Sequence, residues 1–370
     1  MAAISNAEDQ VSFSSSNNFS VQELVKQPIK TIPQHYVRLD HRQPVRSAPY
    51  GGRPSQMLPV IDMNQLVSGK DFDVELEKLH STCKDWGFFQ LVNHGVNSSI
   101  LEKVKQEVEK FYELPLEEKM KYKIREGEAE GEGYGTMERD GGKFDWADRF
   151  FMTINPIHRR KPHLFPELPS SFRNALETYI LEMQNLGKKL LCLMAKALKI
   201  DEKEMMEYFD DGMQSLRMTY YPPCPQPELV MGITPHSDSS LITIVHQLNG
   251  VDGLYVYKDG VWFPVSFLPN ALVVNVGDNL EIFSNGVYRS IEHKVVPNAE
   301  KERLSVGFFI NPKFDVGVGP SRSLISPQNP PLFKRVSLEQ YVKGFFSQKL
   351  NVKSYLQHMR IHDNGEDNSA

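Results

Sequence analysis

The stretch ITPHSDSSLITIV, residues 233–245, places a histidine and an aspartate two positions apart at the start of a β-like run. Residues i and i+2 of a strand point to the same face of a sheet, so His236 and Asp238 can bind one metal ion from one side. The chain has 11 histidines, and one His-x-Asp pair is therefore weak support by itself. The surrounding sequence must decide between a metal site and two polar residues that share a strand.

A third metal ligand is expected on a later strand of the same sheet system. The stretch NGVYRSIEHKVV, residues 285–296, supplies His293 inside another β-like run. Two histidines and one carboxylate on one face of an octahedral ion leave three positions open. That arrangement suits a non-haem Fe(II) ion that must bind both a co-substrate and dioxygen. We therefore predict that His236, Asp238 and His293 are the metal ligands and the catalytic residues.

A candidate anion-binding pair follows the third ligand. Arg303 and Ser305 are again at positions i and i+2, in the next β-like run along the chain. A guanidinium group with a neighbouring hydroxyl is a good fork for a carboxylate. A dicarboxylate that chelates the iron with its other end would fit between this fork and the metal.

The fold class follows from a change of period near residue 215. Beyond it, short β-like runs alternate with Gly, Pro, Asn and Asp, and KDG at 258–260 is typical of a tight hairpin turn. Closely spaced short strands predict an antiparallel sandwich or barrel, here a jelly roll (a distorted double-stranded β-helix). The runs are LRMTYYPPCPQ (216–226), LITIVHQL (241–248), GLYVY (253–257), VWFPVSF (261–267), ALVVNVGD (271–278), RSIEHKVV (289–296) and RLSVGFFI (303–310).

The residues before the β-like runs are mainly helical in pattern. Apolar spacing predicts helices over about 74–84, 98–114 and 170–200, with short strands at 58–66 and 86–96. The stretch at 125–143 is rich in Gly and Glu and is predicted to be a mobile polar loop. The expected organisation is a flexible tail and arm (1–50), a helical and strand region packed on the core (51–210), the jelly-roll core (211–320), and a C-terminal helix and tail (321–370).

The composition excludes several classes of function. A net charge of −5 argues against nucleic acid as the main partner. We find no run of 18 or more apolar residues, which argues against a membrane protein, and the N-terminus lacks the apolar segment of a secretory signal. The 3 cysteines form no CxxC pair, so neither a disulfide framework nor a structural zinc site is expected. We expect a cytoplasmic protein.

Stretches of sequence beyond the candidate ligands resemble those of a known protein family. They include CKDWGFFQLVNHGV (83–96), YYPPCPQPELVMGITPHSD (220–238) and LPNALVVNVGD (268–278). With these stretches the chain resembles the plant soluble branch of the Fe(II)- and 2-oxoglutarate-dependent dioxygenases over nearly its whole length. Within that branch it is most similar to the senescence-related group that includes the opium-poppy alkaloid O-demethylases.

The resemblance implies a jelly-roll enzyme with Fe(II) at the three ligands and 2-oxoglutarate as co-substrate. It implies that Arg303 and Ser305, helped by Tyr221, bind the C5 carboxylate of 2-oxoglutarate. The implied reaction is hydroxylation or oxidative O-demethylation of a small hydrophobic plant metabolite such as an alkaloid, terpenoid or phenolic, with release of succinate and CO2. Dioxygen and the small-molecule substrate are then the partners, ascorbate is expected to support activity, and we expect a monomer.

The substrate pocket is expected to be apolar. Thr219 stands where the family usually has asparagine, and it either helps to orient the co-substrate or lines the substrate pocket. Tyr255 replaces a usual glutamine and is expected to reshape the pocket. The predicted substrate contacts are Tyr134, Phe150, Met152, Met218, Thr219, Tyr255 and Phe309.

Two rival functions stay open at this point. One is a metal-binding jelly roll without catalysis, such as a storage or sensor protein, which would not need the fork of Arg303 and Ser305. The other is a zinc hydrolase, because two histidines and a carboxylate also bind zinc. That alternative lacks a placed general base and leaves the fork unexplained.

Overall fold

The computed structural model describes most of the chain. The described residues are 20–38, 58–125, 131–136, 138–139, 142–347 and 354–361. Most of the predicted flexible tail at 1–50 lies outside them, as do parts of the predicted polar loop at 125–143 and of the C-terminal tail.

The helices concentrate before the β-rich part and return at its end. Their bounds are α1 Val21–Leu24, α2 Met63–Ser68, α3 Phe72–Asp85, α4 Ser98–Glu113, α5 Leu116–Lys119, α6 Ser170–Ala197, α7 Glu202–Phe209, α8 Asp278–Phe283, α9 Leu338–Ser347 and α10 Ser354–Met359. The three long helices predicted from apolar spacing are α3, α4 and α6, so those predictions are confirmed.

The strands run through both halves of the chain. Their bounds are β1 Val60–Asp62, β2 Phe88–Val92, β3 Gly133–Gly135, β4 Glu138–Arg139, β5 Lys143–Phe144, β6 Asp148–Asn155, β7 Gln214–Tyr221, β8 Ile233–His236, β9 Ile242–Gln247, β10 Leu254–Lys258, β11 Val261–Pro264, β12 Leu272–Val276, β13 His293–Val295, β14 Arg303–Ile310, β15 Gly317–Val318 and β16 Val336–Ser337.

Two facing sheets form the core. Among the described residues, the main sheet has the order β1-β2-β12-β9-β14-β7-β6-β3, and the minor sheet has the order β11-β10-β13-β8. Side chains from both sheets meet in one apolar cluster that includes Val273 of the main sheet and Leu254 and Val295 of the minor sheet. The predicted jelly roll is therefore confirmed.

Helices cover the other face of the main sheet. The long helix α6 buries residues at helical spacing, such as Leu176, Ile180 and Met183, in the large cluster that also contains Ile244 of β9 and Phe308 of β14. Every second residue of these strands therefore belongs to the helix-covered core, and the residues between them face the minor sheet. This alternation decides which side chains can reach the metal cluster.

Local sequence explains several element boundaries. Asn97 caps α4 by accepting the backbone N–H of Ser99, and Asp62 likewise starts α2 by accepting the N–H of Asn64, so the strand predicted over 58–66 ends early. The predicted hairpin turn is confirmed, because Lys258 pairs with Val261 across Asp259 and Gly260. Both turn residues have positive φ, 50° and 81°, which is the type I′ geometry that matches strand twist.

Two strands of the main sheet were not predicted. β6 lies in a segment without strict apolar alternation, and β3 lies inside the predicted polar loop, where it pairs with β6 at the edge of the main sheet. Cβ atoms at Gly133 would meet the backbone of Ile124 and Tyr122 at 2.7–2.9 Å, so this edge requires glycine. Among the described helices, none is both long enough and apolar enough to cross a membrane.

Candidate active site

The two histidines are direct neighbours across the minor sheet. His236 ends β8, His293 begins β13, and the two residues pair in the antiparallel register with ring centroids 4.3 Å apart. Each ring is oriented by its own chain, because His236 Nδ1 lies 2.9 Å from the carbonyl oxygen of Thr234 and His293 Nδ1 lies 3.2 Å from that of Ile291. A carbonyl oxygen accepts, so both Nδ1 atoms carry the proton and both Nε2 atoms are available as ligands.

Asp238 is placed by a loop and not by strand alternation. It lies beyond the end of β8, so the prediction that it shares a strand with His236 is wrong. Its carbonyl oxygen accepts the backbone N–H of Asp278 at 2.7 Å. Its Oδ2 accepts hydrogen bonds from Thr243 Oγ1 at 2.7 Å and from Asn275 Nδ2 at 2.9 Å. The other oxygen, Oδ1, is left to face the histidines.

The donor atoms converge on one point. Asp238 Oδ1 lies 3.5 Å from His236 Nε2 and 3.7 Å from His293 Nε2, and one ligand atom from each residue lies within 4.8 Å of the others. His236 Nε2 is buried and has no hydrogen-bond partner among the described residues. A buried polar atom without a partner is costly, and a metal ion would satisfy it.

The electrostatics of the cluster also suit a cation. Burial, and then the proximity of His236, lowers the pKa of His293 to about 4, so this imidazole is neutral near pH 7. Burial alone would raise the pKa of Asp238, but His293 and His236 bring that pKa well below its usual range. Two imidazole nitrogens and one carboxylate oxygen form the donor set preferred by Fe(II) with open coordination positions.

Arg303 lies near the cluster with its charge buried. On the central strand β14 it pairs with Tyr221 of β7, and its side chain is 2% exposed. Its Nη1 donates to Ser305 Oγ at 3.2 Å and its Nη2 to Gln247 Oε1 at 3.4 Å. In the part of the chain that the structure describes, no carboxylate lies within ion-pair distance of this guanidinium. A buried charge without a counter-charge is strongly unfavourable, so binding of an anion beside Arg303 would stabilise the protein.

A glycine makes room for this arginine. A Cβ atom at Gly253 would lie 2.7 Å from the carbonyl oxygen of Val296 and 3.1 Å from Cδ of Arg303. Any larger residue would therefore displace the arginine side chain. The next residue, Leu254, faces the cavity.

All six residues predicted to bind iron or 2-oxoglutarate line one narrow cavity between the two sheets, together with Thr219. The six are His236, Asp238, His293, Arg303, Ser305 and Tyr221. Thr219 is directly opposite Ser305 in the sheet. It does not line the larger cavity described next, so we withdraw it from the predicted substrate contacts.

A larger cavity of about 150 Å³ opens from the metal cluster on the other side and shares Arg217 and Phe309 with the narrow one. Of the predicted substrate contacts, Phe309 lies in this wall. The remaining wall residues, apart from His236 and Asp238, are Arg149, Phe151, Met213, Ser215, Ser237, Ser239, Asn279, Asn311, Leu338, Tyr341, Val342 and Phe345.

Four predicted substrate contacts lie elsewhere, and the structure corrects them. Phe150, Met152 and Met218 are fully buried in the helix-covered core, where Phe150 stacks on Phe111 at 5.0 Å. Tyr134 belongs to the same core and donates a hydrogen bond to Asp148 Oδ2 at 2.7 Å. A shift of one residue along a strand exchanges the two faces, and the true wall residues are the sequence neighbours Phe151 and Arg217.

Tyr255 also points away from the pocket. Leu254 faces the cavity, so the next residue of β10 must face outward, where Lys294 Nζ lies 5.9 Å from the Tyr255 ring centroid. The expectation that Tyr255 reshapes the pocket is therefore wrong.

Sequence reasoning missed several wall residues. Counting back by two from Tyr221 along β7 leads to Thr219, Arg217 and Ser215, all of which face a cavity. This signal was present in the sequence once β7 had been recognised. No comparable signal marked the residues of α9, which is distant in sequence from the metal ligands.

Comparisons with known proteins agree with this geometry. The model of the 2OG-Fe(II) oxygenase superfamily matches residues 212–312, and that of the non-haem dioxygenase in morphine synthesis N-terminal region matches residues 58–168. Protein SRG1 of Arabidopsis thaliana is 50% identical over 345 residues, covering 92% of this chain and 96% of that protein. The oxoglutarate-dependent flavonoid 7-O-demethylase 1 of Ocimum basilicum is 47% identical, covering 92% of this chain and 91% of that protein.

A solved structure matches the whole fold. The crystal structure of JOX2 in complex with 2OG, Fe and JA superposes with a TM-score of 0.82 at 32% sequence identity, covering 93% of this chain and 98% of that one. The chain therefore belongs to the 2OG-Fe(II) oxygenase superfamily and is a dioxygenase that uses Fe(II) with 2-oxoglutarate as co-substrate.

Proposed function

We propose that His236, Asp238 and His293 bind the catalytic iron, and that Arg303, Ser305 and Tyr221 bind the C5 carboxylate of 2-oxoglutarate. The observation that supports this assignment is the narrow cavity lined at once by the metal cluster and by a buried guanidinium without a carboxylate partner among the described residues. Neither a storage protein nor a zinc hydrolase would need that guanidinium.

When bound, the iron with 2-oxoglutarate and dioxygen supplies the oxidising power, and 2-oxoglutarate is converted to succinate and CO2. The protein itself positions the metal ligands and the co-substrate. Thr243 and Asn275 donate hydrogen bonds to one carboxylate oxygen of Asp238, which leaves the other oxygen available to the metal. The Arg303 guanidinium neutralises the far end of the co-substrate, and the two sheets exclude water from it.

We propose that the substrate is a small plant metabolite with an apolar skeleton, which is hydroxylated or oxidatively O-demethylated. The larger cavity supports this class, because Phe151, Phe309, Leu338 and Val342 give it an apolar wall beside the metal cluster. The similar protein from Ocimum basilicum is named as a flavonoid O-demethylase. A desaturation outcome would use the same site.

An anaerobic titration tests the assignment. Fe(II) and then 2-oxoglutarate are added to the purified protein, and the visible spectrum is recorded. A weak metal-to-ligand charge-transfer band is expected, because 2-oxoglutarate chelates the iron. A protein that takes up iron without developing the band on addition of 2-oxoglutarate would be a metal-binding protein of another kind.

The alanine variants of His236, Asp238 and His293 provide a first prediction. Each is expected to abolish substrate oxidation while the fold stays intact, because two ligands seldom hold Fe(II) in a productive geometry. The measurements are 2-oxoglutarate decarboxylation and circular dichroism. Wild-type decarboxylation in any one variant removes that residue from the ligand set.

We further propose a cytoplasmic monomer that binds neither nucleic acid nor membranes and whose activity ascorbate supports. The three cysteines are free, which suits a reducing compartment. We also keep the division near residue 210 as a proposed boundary between an N-terminal region and the jelly-roll core. β1, β2, β3 and β6 of the first region are nevertheless part of the main sheet.

A further inference from the structure

The larger cavity contains two guanidinium groups in a wall that is apolar in part and otherwise lined by neutral polar side chains and the metal cluster. Arg217 of β7 and Arg149 of β6 both line it. Their strands are paired, with Phe151 opposite Arg217 and Thr219 opposite Arg149, so the two arginines are diagonal neighbours on one face. Neither residue is needed to bind iron.

Both guanidinium groups lie against aromatic rings. The Arg217 guanidinium carbon is 5.2 Å from the ring centroid of Phe309, and that of Arg149 is 5.6 Å from the ring centroid of Phe151. The two rings contact each other edge to face at 6.5 Å. Contact with a ring restricts the position of a guanidinium, and at Arg217 the N–H groups make no hydrogen bond within the described ranges. The arrangement is therefore preorganised.

The charges in the cavity do not balance. Among the described residues that line it, the only carboxylate is Asp238, which we assign to the metal. Arg217 has no hydrogen bond and no ion pair within the described ranges, whereas Arg149 donates to the carbonyl oxygen of Gly131 at 2.7 Å. A half-buried cation that lacks a counter-charge of its own is stabilised when an anion joins it. Arg217 is thus the positive charge in this cavity that a bound anion would stabilise most.

We propose that the substrate carries a carboxylate on its apolar skeleton and that Arg217 binds this carboxylate. The inference rests on the proposed function and narrows its substrate class from neutral or cationic skeletons to organic acids. The Arg217 guanidinium anchors the acid end of the substrate. The skeleton then lies along Phe309 and the α9 residues Leu338 and Val342, beside the metal cluster. Arg149 adds positive potential to the same cavity.

The co-substrate is the competing occupant of Arg217, because this residue also borders the narrow cavity. Arg303 already offers a buried guanidinium with Ser305 and Gln247 around it. Arg217, by contrast, is the cross-strand neighbour of Phe151, and both Phe151 and Arg149 line the larger cavity and not the narrow one. The geometry therefore favours the substrate, and the experiment below separates the two occupants.

The test uses the full chain loaded with Mn(II) and 2-oxoglutarate. The probes are aryl-acetic and aryl-propionic acids, such as 1-naphthylacetic acid, each compared with its primary amide and with the amine of the same ring system. Binding is measured by ligand-observed NMR, in which relaxation by the paramagnetic Mn(II) reports proximity to the metal. We expect the acids to bind near the metal at least tenfold more tightly than their amides and amines.

Three variants locate the effect. Arg217→Gln is expected to weaken acid binding at least tenfold and to leave amide binding unchanged, whereas Arg217→Lys should restore part of the preference. Arg289→Gln removes an exposed arginine and is the matched control, with no expected change. Circular dichroism confirms that each variant is folded.

Several outcomes would overturn the inference. Acids that bind no better than amides, or the absence of any acid that binds near the metal, would exclude an acid-selective cavity. If Arg217→Gln weakened 2-oxoglutarate binding and left the acid preference intact, Arg217 would serve the co-substrate. The charge-transfer band with Fe(II) and 2-oxoglutarate is recorded on the same protein. Loss of that band defeats the proposed function, whereas a normal band with no acid preference defeats only this inference.

Discussion

Arg303 shows how one buried charge specifies a ligand. Its guanidinium is 2% exposed, and its partners include the neutral side-chain oxygens of Ser305, Gln247 and Tyr221. Burial lowers the pKa of Arg303, although an arginine stays charged near neutral pH. The protein thus carries an unneutralised cation in its interior, which a carboxylate would stabilise. On the proposed assignment, this cost is borne in the free protein and is recovered when 2-oxoglutarate binds.

We predict that Arg303→Lys raises the apparent Michaelis constant for 2-oxoglutarate at least tenfold. Lysine keeps the charge but loses the two-pronged contact, and losing such a charge-assisted hydrogen bond costs about 1.5–3 kcal/mol. Decarboxylation kinetics measure the constant, and calorimetry with Mn(II) should show normal metal affinity. An unchanged constant would mean that another group binds the carboxylate.

Asn275 and Thr243 act on the metal through Asp238. Both donate to Asp238 Oδ2 and are fully buried. We predict that Asn275→Leu and Thr243→Val each weaken metal binding by about 10–100-fold, as is typical when a partner of a metal ligand is lost. Calorimetric titration of Mn(II) measures the affinity. Thr153→Val is the control, because Thr153 is a buried strand threonine whose hydroxyl bonds Glu132 and no metal ligand.

The sequence could predict the three residues of the metal cluster because they are defined by residue type and order. Two histidines and an aspartate near strands, followed by an arginine and a serine two apart, are recognisable without coordinates. The reason given for Asp238 was nevertheless wrong. Its position depends on hydrogen bonds from Thr243 and Asn275, which lie on strands that only the folded sheet brings beside it.

At the scale of the element, successive residues of strand β6 contribute alternately to the hydrophobic core and to the wall of the larger cavity. Phe150 faces the helix-covered core and Phe151 faces the larger cavity. The prediction of the pocket failed here because β6 was not recognised as a strand, so its alternation could not be used. Side-chain polarity alone also misleads when one of two adjacent strand residues must be assigned to the cavity wall. Met218 is more apolar than its neighbour Arg217, yet Arg217 lines the cavity. The faces could be assigned only from the register with β7.

We predict opposite effects for two adjacent alanine substitutions on β6. Phe150→Ala removes a fully buried ring and should lower the free energy of unfolding by about 3–5 kcal/mol. Phe151→Ala, at a half-buried ring on the cavity wall, should cost clearly less stability but weaken the binding of aromatic probes near the metal. Denaturant unfolding and ligand-observed NMR measure the two effects. Equal losses of stability would contradict the assignment of faces.

At the scale of the whole molecule, the C-terminal helices close the larger cavity. Leu338, Tyr341 and Val342 of α9 contribute to its wall. The helix α10 packs behind α9, with the rings of Tyr341 and Tyr355 5.0 Å apart. A Cβ atom on Gly344 would collide with the Tyr355 ring and hydroxyl. The wall of the larger cavity therefore depends on segments that lie outside the jelly roll.

We predict that Gly344→Ala weakens probe binding in the larger cavity and leaves the Michaelis constant for 2-oxoglutarate unchanged. Alanine would normally favour a helix by about 1 kcal/mol over glycine, but the collision with Tyr355 should cost about 1–3 kcal/mol. Probe titrations, decarboxylation kinetics and thermal unfolding measure the three quantities. Lys343→Ala, on the exposed face of α9, is the matched control. A thermal midpoint above that of the control would show that the two helices are packed less closely than described.

The position of β2 in the main sheet has a consequence for biosynthesis. This apolar strand, FFQLV, is made early, yet its partner β12 emerges only after most of the jelly roll has been translated. At about 5–20 residues per second, one edge of β2 waits on the order of ten seconds or more without its neighbour. An apolar strand edge of that kind can pair with another nascent chain. The interval between these two strands is therefore when the growing polypeptide most needs a chaperone.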